Sequence, residues 1–247
     1  MVTGGGPEKN RSCRRTLFVH LHPSPSNVER GHKLSTTALA IIGEQVAFTS
    51  SKDGTVVRWD LKARTKRQIL PVNGMWGPTI YSLAASSDGR YVAMAGKDQF
   101  VHVWDEKEAA IVHSFKGHRD TVSCLTFQKG THILFSGSHD RTIKIWDLDE
   151  MCYVETLFGH QSDITAIAAL HKERCMSAGR DRTVRLWKVA EESQLVFRGH
   201  ISSIDSVVML TEELFASGGQ DGAISRECRH RTAPSPHFLN VLNVFGT

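Results

Sequence analysis

The chain of 247 residues is long enough for one large all-β domain, because such folds commonly exceed the usual size of a domain. Apolar residues make up 40% of the sequence and charged residues 23%, which is typical of soluble proteins, and no apolar run approaches the roughly 20 residues of a membrane helix. The formal net charge of +4 divides into +3 in residues 1–30, −1 in 31–225 and +2 in 226–247. Bulk charge therefore does not identify a nucleic-acid-binding protein.

Residues 1–27 contain GGG, RSCRR and HPSPS without periodicity, and we expect a disordered head. The apolar stretch LFVHL is too short for the roughly 7 to 15 residue core of a signal peptide, so secretion is not expected. RSCRR contacts nucleic acid or an import receptor, or is simply solvated; the sequence leaves these alternatives open.

The five cysteines are an odd number without CxxC or CxH pairing, which disfavours a disulfide framework and a zinc site. Cysteines of this kind indicate a reducing compartment, and Cys124 and Cys175 suit buried strands as small apolar residues.

The organising feature is a repeat in which an aspartate stands six residues before a tryptophan. The pairs are Asp53/Trp59, Asp98/Trp104, Asp140/Trp146 and Asp181/Trp187, and the aspartates are spaced by 45, 42 and 41 residues. A Gly-His pair precedes the aspartate by about 21 residues at His32, His118, His160 and His200. This period is that of one four-stranded propeller blade, roughly 40 to 45 residues.

Each unit is interpreted as four strands. In the third unit, Val122, Leu125 and Phe127 indicate the first strand and residues 133–138 the second. The HDRT segment at 139–142 predicts a tight turn, because aspartate bonds its own following backbone. Residues 142–148 alternate polar and apolar side chains and predict the third strand, and 153–158 the fourth.

This pattern resembles the WD-repeat family, whose Gly-His histidine, strand Ser or Thr, turn Asp and Trp form a buried hydrogen-bonded tetrad. The resemblance implies an all-β WD-repeat β-propeller without catalytic residues, cofactor or metal. It assigns the following residues to structural tetrads: His32, Asp53, Trp59, Asp98, Trp104, His118, Asp140, Trp146, His160, Asp181, Trp187, His200 and Asp221. Ser136, His118 and Asp140 could be mistaken for a hydrolase triad, but a set repeated in several units indicates structure.

Two units depart from the pattern. Met75-Trp76 replaces Gly-His in the second, and Glu227 stands where the fifth needs tryptophan. We therefore expect four repeat units plus a broken fifth over residues 28–225, and an off-pattern tail over 226–247 interrupted by prolines. Because a propeller protects its strand edges by closing on itself, we expect an incomplete seven-bladed propeller, with a longer form supplying further blades. The alternative is a five-bladed or oligomer-completed ring.

A narrower resemblance depends on stretches that the repeat does not dictate: GTH at 130–132, VETLFGHQ at 154–161 and EESQLVF at 191–197. These are similar to the WD-repeat proteins of the U-three small nucleolar ribonucleoprotein, over about residues 30–225. The resemblance implies a nuclear, nucleolar scaffold that binds a box-type small nucleolar RNA and its RNA-bound protein partner. It implies a role in ribosomal RNA processing for the small subunit, with no membrane or small-molecule partner.

Contact residues are predicted at two repeated positions. The residue before the turn aspartate is expected at a blade rim, and the residue after the Val or Ile beyond Gly-His near a central channel. The first set is Lys52, Lys97, His139, Arg180 and Gln220, and the second is Thr37, Tyr81, Ser123, Thr165 and Asp205. The candidates for RNA or partner binding are Lys52, Tyr81, Lys97, Arg119, His139, Arg141, Arg180 and Arg182.

Three other classes of protein compete with this interpretation. A ubiquitin ligase substrate receptor often carries Arg two residues after its Trp-Asp pair, and this chain has Lys62 and Lys107 there. A generic protein-interaction scaffold remains an alternative. An enzyme is disfavoured, because GxxxxGK, HExxH and GxSxG are absent from the sequence.

Overall fold

The computed structural model describes residues 31–70 and 78–228, most of which lie in antiparallel strands or in the turns that join them. These ranges contain nineteen strands, β1 to β19, and a short 3-10 helix, Val189–Glu191. In the same ranges, no helix has the length and apolar composition to cross a membrane. The prediction of an all-β fold is confirmed.

The strands form five antiparallel sheets in chain order, which we number as blades 1 to 5. Blade 1 contains β1 to β4 and blade 2 contains β5 to β8: Thr36–Ile42, Val46–Ser51, Val56–Asp60, Thr65–Leu70, Ile80–Ala85, Tyr91–Gly96, Phe100–Asp105 and Ala110–Lys116. Blade 3 contains β9 to β12 and blade 4 contains β13 to β16: Val122–Phe127, Ile133–Ser138, Thr142–Asp147, Cys152–Phe158, Ile164–Ala169, Arg174–Gly179, Thr183–Lys188 and Ser193–Arg198. Blade 5 contains β17 to β19 in the described residues: Ile204–Met209, Leu214–Gly219 and Ile224–Cys228.

The end of blade 5 differs from the predicted boundary. Arg226, Glu227 and Cys228 were assigned to the tail, but they belong to β19 and pair with β18. Backbone pairing accounts for this, because a ladder of N–H and C=O groups does not require the missing tryptophan. The predicted head at 1–27 and the rest of the predicted tail, 229–247, lie outside the described residues.

The core consists of apolar clusters between neighbouring blades. Trp146 of blade 3 stacks on Phe115 of blade 2 with ring centroids 4.8 Å apart, whereas Ile143 and Ile145 pack in the cluster shared by blades 3 and 4. Similar clusters join blades 1 and 2 and blades 4 and 5. Alternate residues of one strand therefore serve opposite faces of the blade, which is why the sequence alternates with a period of two.

The first strand of every blade contains a β-bulge at the same repeat position. The residues left out of the ladder are Thr37, Tyr81, Ser123, Thr165 and Asp205. These are the five residues that the sequence analysis placed near a central channel. A bulge redirects the side chain of its extra residue, so these side chains do not follow the alternation of the strand.

Three bulge residues join adjacent blades through their hydroxyl groups. Thr37 donates to the carbonyl oxygen of Ile80 at 2.6 Å. Ser123 donates to the carbonyl oxygen of Ile164 at 2.5 Å, and Thr165 to that of Ile204 at 2.5 Å. The bulge thus places a short polar side chain where it satisfies a backbone acceptor of the next blade.

Candidate functional site

Blade 3 contains the complete set of four tetrad side chains. The indole N–H of Trp146 donates to Ser136 Oγ at 2.8 Å, and Ser136 Oγ lies 2.7 Å from His118 Nε2. His118 Nδ1 lies 2.8 Å from Asp140 Oδ2. The network assigns the Nδ1–H tautomer, so that Ser136 donates to His118 and His118 donates to Asp140.

The same contacts recur in blade 4. His160 lies 2.8 Å from Asp181 and 2.7 Å from Ser177 Oγ, which accepts the Trp187 indole N–H at 2.8 Å. Ser136 and Ser177 are both fully buried, so neither hydroxyl is accessible as a nucleophile. The geometry supports a structural role for these side chains and gives no site for hydrolysis.

The turn aspartate organises two loops at once. Asp140 Oδ1 accepts bonds from the backbone N–H and the hydroxyl of Thr142, and Oδ2 accepts the Arg119 backbone N–H. Burial raises the pKa of Asp140, but the bonds from His118, Thr142 and Arg119 outweigh it and hold the pKa well below its usual value. Asp140 therefore stays ionised and ties the turn to the Gly-His loop.

In blade 1 a threonine lies between histidine and aspartate. His32 contacts Thr49 Oγ1 at 2.7 Å and Thr55 Oγ1 at 2.6 Å, and Thr55 donates to Asp53 Oδ1. Trp59 donates to Thr49, as expected for the strand hydroxyl. Asp53 Oδ2 binds the loop backbone of residues 33 and 34. Blade 1 therefore keeps the expected participants with one rearranged link.

Blade 2 replaces two parts of the tetrad. Met94 occupies the position of the strand hydroxyl, and the Trp104 indole N–H instead donates to Glu106 Oε2 at 3.1 Å. Glu106 also pairs with Arg58 of blade 1 at 2.6 Å. The tryptophan is thus linked to the joint between blades 1 and 2.

The histidine of blade 2 comes from a different strand. His102 of β7 contacts Asp98 Oδ2 at 2.7 Å through Nε2 and Ser114 Oγ at 2.7 Å through Nδ1. The tetrad pattern predicts Asp98 and Trp104 in one network, whereas in the structure they lie in two separate networks. In blade 5, His200 contacts Ser217 at 2.9 Å and Asp221 at 3.2 Å.

The residues before the turn aspartates lie at one end of the blades, which we call the turn-Asp face. Each donates its backbone N–H to the carbonyl oxygen of the residue just before the first strand of its blade, at 2.9 to 3.1 Å. The donors are Lys52, Lys97, His139, Arg180 and Gln220. The Gly-His loops lie at the same end, because the turn aspartates bind their backbone N–H groups.

The turn-Asp face carries exposed basic side chains. Lys52, Lys97, Arg119, Arg141 and Arg182 are exposed, and within the described ranges none of the five forms an ion pair. His139 is half-buried, and Arg180, 59% exposed, lies 3.3 Å from Asp163. Surface pairs of this kind are weak in water, so Arg180 remains available to another anion.

Arg141 and Arg182 occupy strained turn positions. Their φ values are 70° and 63°, in the left-handed region that favours glycine. The same turn position is Gly54 in blade 1 and Gly222 in blade 5. Blades 3 and 4 therefore hold a charged side chain where the backbone prefers glycine.

A cross-blade contact was not found by sequence analysis. His132 Nδ1 lies 2.6 Å from Asp149 of its own blade, and Nε2 lies 3.1 Å from Asp88 of blade 2. Burial lowers the pKa of His132, but the bonds to Asp149 and Asp88 outweigh it, so the pKa is raised. The sequence signal was the GTH segment at 130–132, but its partners are far away along the chain.

The described residues give no sign of a metal centre. No group of three or more His, Cys, Asp and Glu side chains in residues 31–70 and 78–228 is arranged to hold an ion. Cys124 and Cys175 are buried thiols among apolar side chains. Burial raises the pKa of Cys124 to about 12 and also raises that of Cys175, so both thiols are unreactive.

The repeat matches a known family model. The model "WD domain, G-beta repeat" matches residues 70–105, 109–147 and 151–188. These three stretches carry the repeat of the WD-repeat family. This agrees with the blades and the tetrads described above.

The chain is also similar to particular WD-repeat proteins. It is 41% identical to the Arabidopsis thaliana "U3 snoRNP-associated protein-like YAO" over 78% of this chain and 42% of that protein. It is 42% identical to the mouse "U3 small nucleolar RNA-interacting protein 2" over 82% of this chain and 45% of that protein. The chain therefore spans less than half the length of these relatives.

A solved structure has the same arrangement of blades. "Crystal structure of RRP9 WD40 repeats" is 40% identical, with a TM-score of 0.77, over 82% of this chain and 62% of that chain. The resemblance inferred from residues 130–132, 154–161 and 191–197 is thereby confirmed, and so is the propeller fold class.

Proposed function

We propose that this protein is a non-catalytic scaffold of the U3 small nucleolar ribonucleoprotein. It binds a box-type small nucleolar RNA and partner proteins, and acts in the nucleolus in ribosomal RNA processing for the small subunit. The observation that carries the proposal is the 41 to 42% identity, over about four fifths of this chain, to relatives named for U3. The two tetrads of blades 3 and 4 support the absence of catalysis, because their hydroxyls are buried.

The turn-Asp face is the proposed contact surface. Its candidate residues are Lys52, Tyr81, Lys97, Arg119, His139, Arg141, Arg180 and Arg182. Phosphate groups are the chemical match for this set, because lysine binds them as a point charge and arginine through two N–H groups. The net charge of residues 31–225 is close to zero, so a basic surface here arises because basic residues are concentrated on one face.

Recovery of crosslinked RNA with the protein tests the proposal. Enrichment of U3 small nucleolar RNA is expected. Recovery of proteins without that RNA would contradict RNA binding and favour the generic scaffold. Retention of both the RNA and its protein partner would agree with the full proposal.

Charge variants test the surface. Lys97→Ala is expected to weaken RNA binding and to lower the salt slope by about one unit, because one phosphate contact is lost. Arg180→Ala should do the same, and neither should change the unfolding free energy by more than roughly 0.5 kcal/mol. Lys107→Ala is the matched control, since Lys107 is exposed in the turn after β7, at the opposite end of blade 2. Equal losses in Lys97→Ala and Lys107→Ala would contradict a role specific to the turn-Asp face.

A further inference from the structure

Tyr81 departs from the structural role of its repeat position. At the equivalent bulge in blades 1, 3 and 4, a short hydroxyl side chain donates to the next blade. A phenol oxygen lies too far from its own backbone for that short bridge. The Tyr81 side chain is 40% exposed, and within residues 31–70 and 78–228 it makes no hydrogen bond or ring contact. No polar or aromatic partner within these residues accounts for the tyrosine at this position.

The chain two residues before Tyr81 is hydrogen-bonded to two lysine-bearing turns. Thr79, two residues earlier, accepts the backbone N–H of Lys97 at 2.9 Å and donates its hydroxyl to the carbonyl oxygen of Lys52 at 3.1 Å. Gly96 permits this approach, because a Cβ there would lie 1.9 Å from the Thr79 carbonyl oxygen. Both lysine side chains are exposed.

The charge around the ring favours an anionic ligand. The nearest turn carboxylates, Asp53 and Asp98, already accept bonds from the loop backbone and from His102, respectively. Lys52 and Lys97 form no ion pair with the rest of the described chain. An exposed aromatic ring on a strand whose preceding residue is bonded to two lysine-bearing turns combines the two features that bind single-stranded nucleic acid: a surface for base stacking and cations for phosphates.

We propose that Tyr81 is a stacking platform for an unpaired RNA base, with Lys52 and Lys97 contacting the neighbouring phosphates. The proposal rests on the proposed function. It specifies that the RNA bound at blades 1 and 2 is single-stranded. Stacking is tolerant of sequence, because every base has an aromatic face. Duplex RNA presents its phosphates but not its base faces.

Binding of a short oligouridine and of an RNA duplex of the same length tests this proposal. Tyr81→Ala should lower the affinity for oligouridine by roughly 5- to 150-fold, the range for one stacked base. Tyr81→Phe keeps the ring and should bind within about twofold of the wild type. The salt slope should stay unchanged in both variants, whereas Lys97→Ala lowers it by about one unit.

Tyr81→Thr is the matched control for folding. It places at the bulge the residue that blades 1 and 4 already carry there. It should keep the melting temperature of the wild type and still lose oligouridine affinity as Tyr81→Ala does. A melting temperature lowered in both Tyr81→Ala and Tyr81→Thr would point to a structural role of the ring. Tyr81→Phe should then still retain its oligouridine affinity, and loss of that affinity would overturn the proposal.

The remaining outcomes separate this proposal from the proposed function. Wild-type affinity of Tyr81→Ala and Tyr81→Thr, with weaker binding by Lys97→Ala, would overturn stacking and leave the basic surface in place. Equal loss of duplex and oligouridine binding in Tyr81→Ala would also overturn stacking. Failure of the wild type to bind either RNA would overturn both.

Discussion

Blades 2 and 3 have the same strand order and nearly the same register, yet their polar interiors differ. Blade 3 links Trp146, Ser136, His118 and Asp140 in one chain of hydrogen bonds. Blade 2 has Met94 in place of the serine and uses two separate contacts, from Trp104 to Glu106 and from Asp98 to His102. The sheet is nevertheless complete in both.

The tetrad is therefore not required to form a blade. Alternating apolar side chains and a turn aspartate are present in both blades, and Trp104 is buried without a strand hydroxyl. The hydrophobic effect is the larger contribution, since burying one aromatic side chain removes about 150 to 250 Å² from water. The tetrad instead fixes how the turn, the Gly-His loop and the third strand are joined.

Replacement of the two tryptophans should have the largest effect on stability in both blades. Trp146→Ala should lower the unfolding free energy by roughly 3 to 5 kcal/mol, because it removes a buried aromatic side chain. Trp104→Ala should fall in the lower part of that range, since its indole partner Glu106 keeps Arg58. Chemical denaturation of the soluble protein measures both. A change within error for Trp146→Ala would contradict its buried role.

Loss of the strand hydroxyl tests the tetrad alone. Ser136→Ala should cost roughly 1 to 3 kcal/mol, because the Trp146 N–H and a His118 ring nitrogen lose their partner in a buried site. Met94→Leu, at the same position in blade 2, conserves volume and should cost less than about 1.5 kcal/mol. Denaturation curves of the two variants decide the point. A larger cost for Met94→Leu would reverse the ranking and show that packing dominates at this position.

The strands and turns inside each repeat unit could be predicted from the sequence, but the contacts between units could not. The strands of the third unit follow from alternation at 142–148 and the turn at 139–142, since both are local. His102 could not be assigned to Asp98, because a histidine inside an alternating strand resembles any half-exposed strand residue. The hydroxyl bonds of Thr37, Ser123 and Thr165 cross between blades, and only the shared Ser or Thr at one repeat position signalled them. The RNA-binding role of the basic residues stays a prediction.

The joint between blades 2 and 3 should depend on pH through His132. Its pKa is raised in the folded state, so the stabilisation is fully present below its unfolded value of about 6.5 and is lost as pH rises through the folded pKa. His132→Gln keeps a neutral side chain of similar reach. The difference in unfolding free energy between wild type and His132→Gln should be below about 1 kcal/mol and should shrink from about pH 5 to pH 8, roughly the range in which histidine titrates.

Unfolding followed at several pH values measures that difference. Ser87→Ala is a useful control, because Ser87 accepts the Gly130 backbone N–H across the same joint without titrating. Its effect should be the same at each pH. A pH-independent difference for His132→Gln would mean that the imidazole acts only as a neutral bridge.

A last comparison of stability sets turns that carry arginine against turns that carry glycine. Arg141→Gly should relieve the strain of a side chain at a left-handed backbone position, which costs about 1 to 2 kcal/mol of stability. Glycine also raises the conformational entropy of the unfolded chain, which lowers stability by roughly 0.5 to 1 kcal/mol. The net effect is a stabilisation of at most about 1.5 kcal/mol. RNA affinity should nevertheless fall, with a salt slope lower by about one unit.

Gln99→Gly supplies the matched control, since Gln99 has a φ of 70° at the same turn position of blade 2 and carries no charge. It should give the same stabilisation with unchanged RNA affinity and salt slope. Thermal melting and RNA titration of both variants separate backbone strain from charge. If Arg141→Gly lowered stability while Gln99→Gly raised it, the Arg141 side chain would be stabilising its blade, and its strained position would need no ligand to account for it.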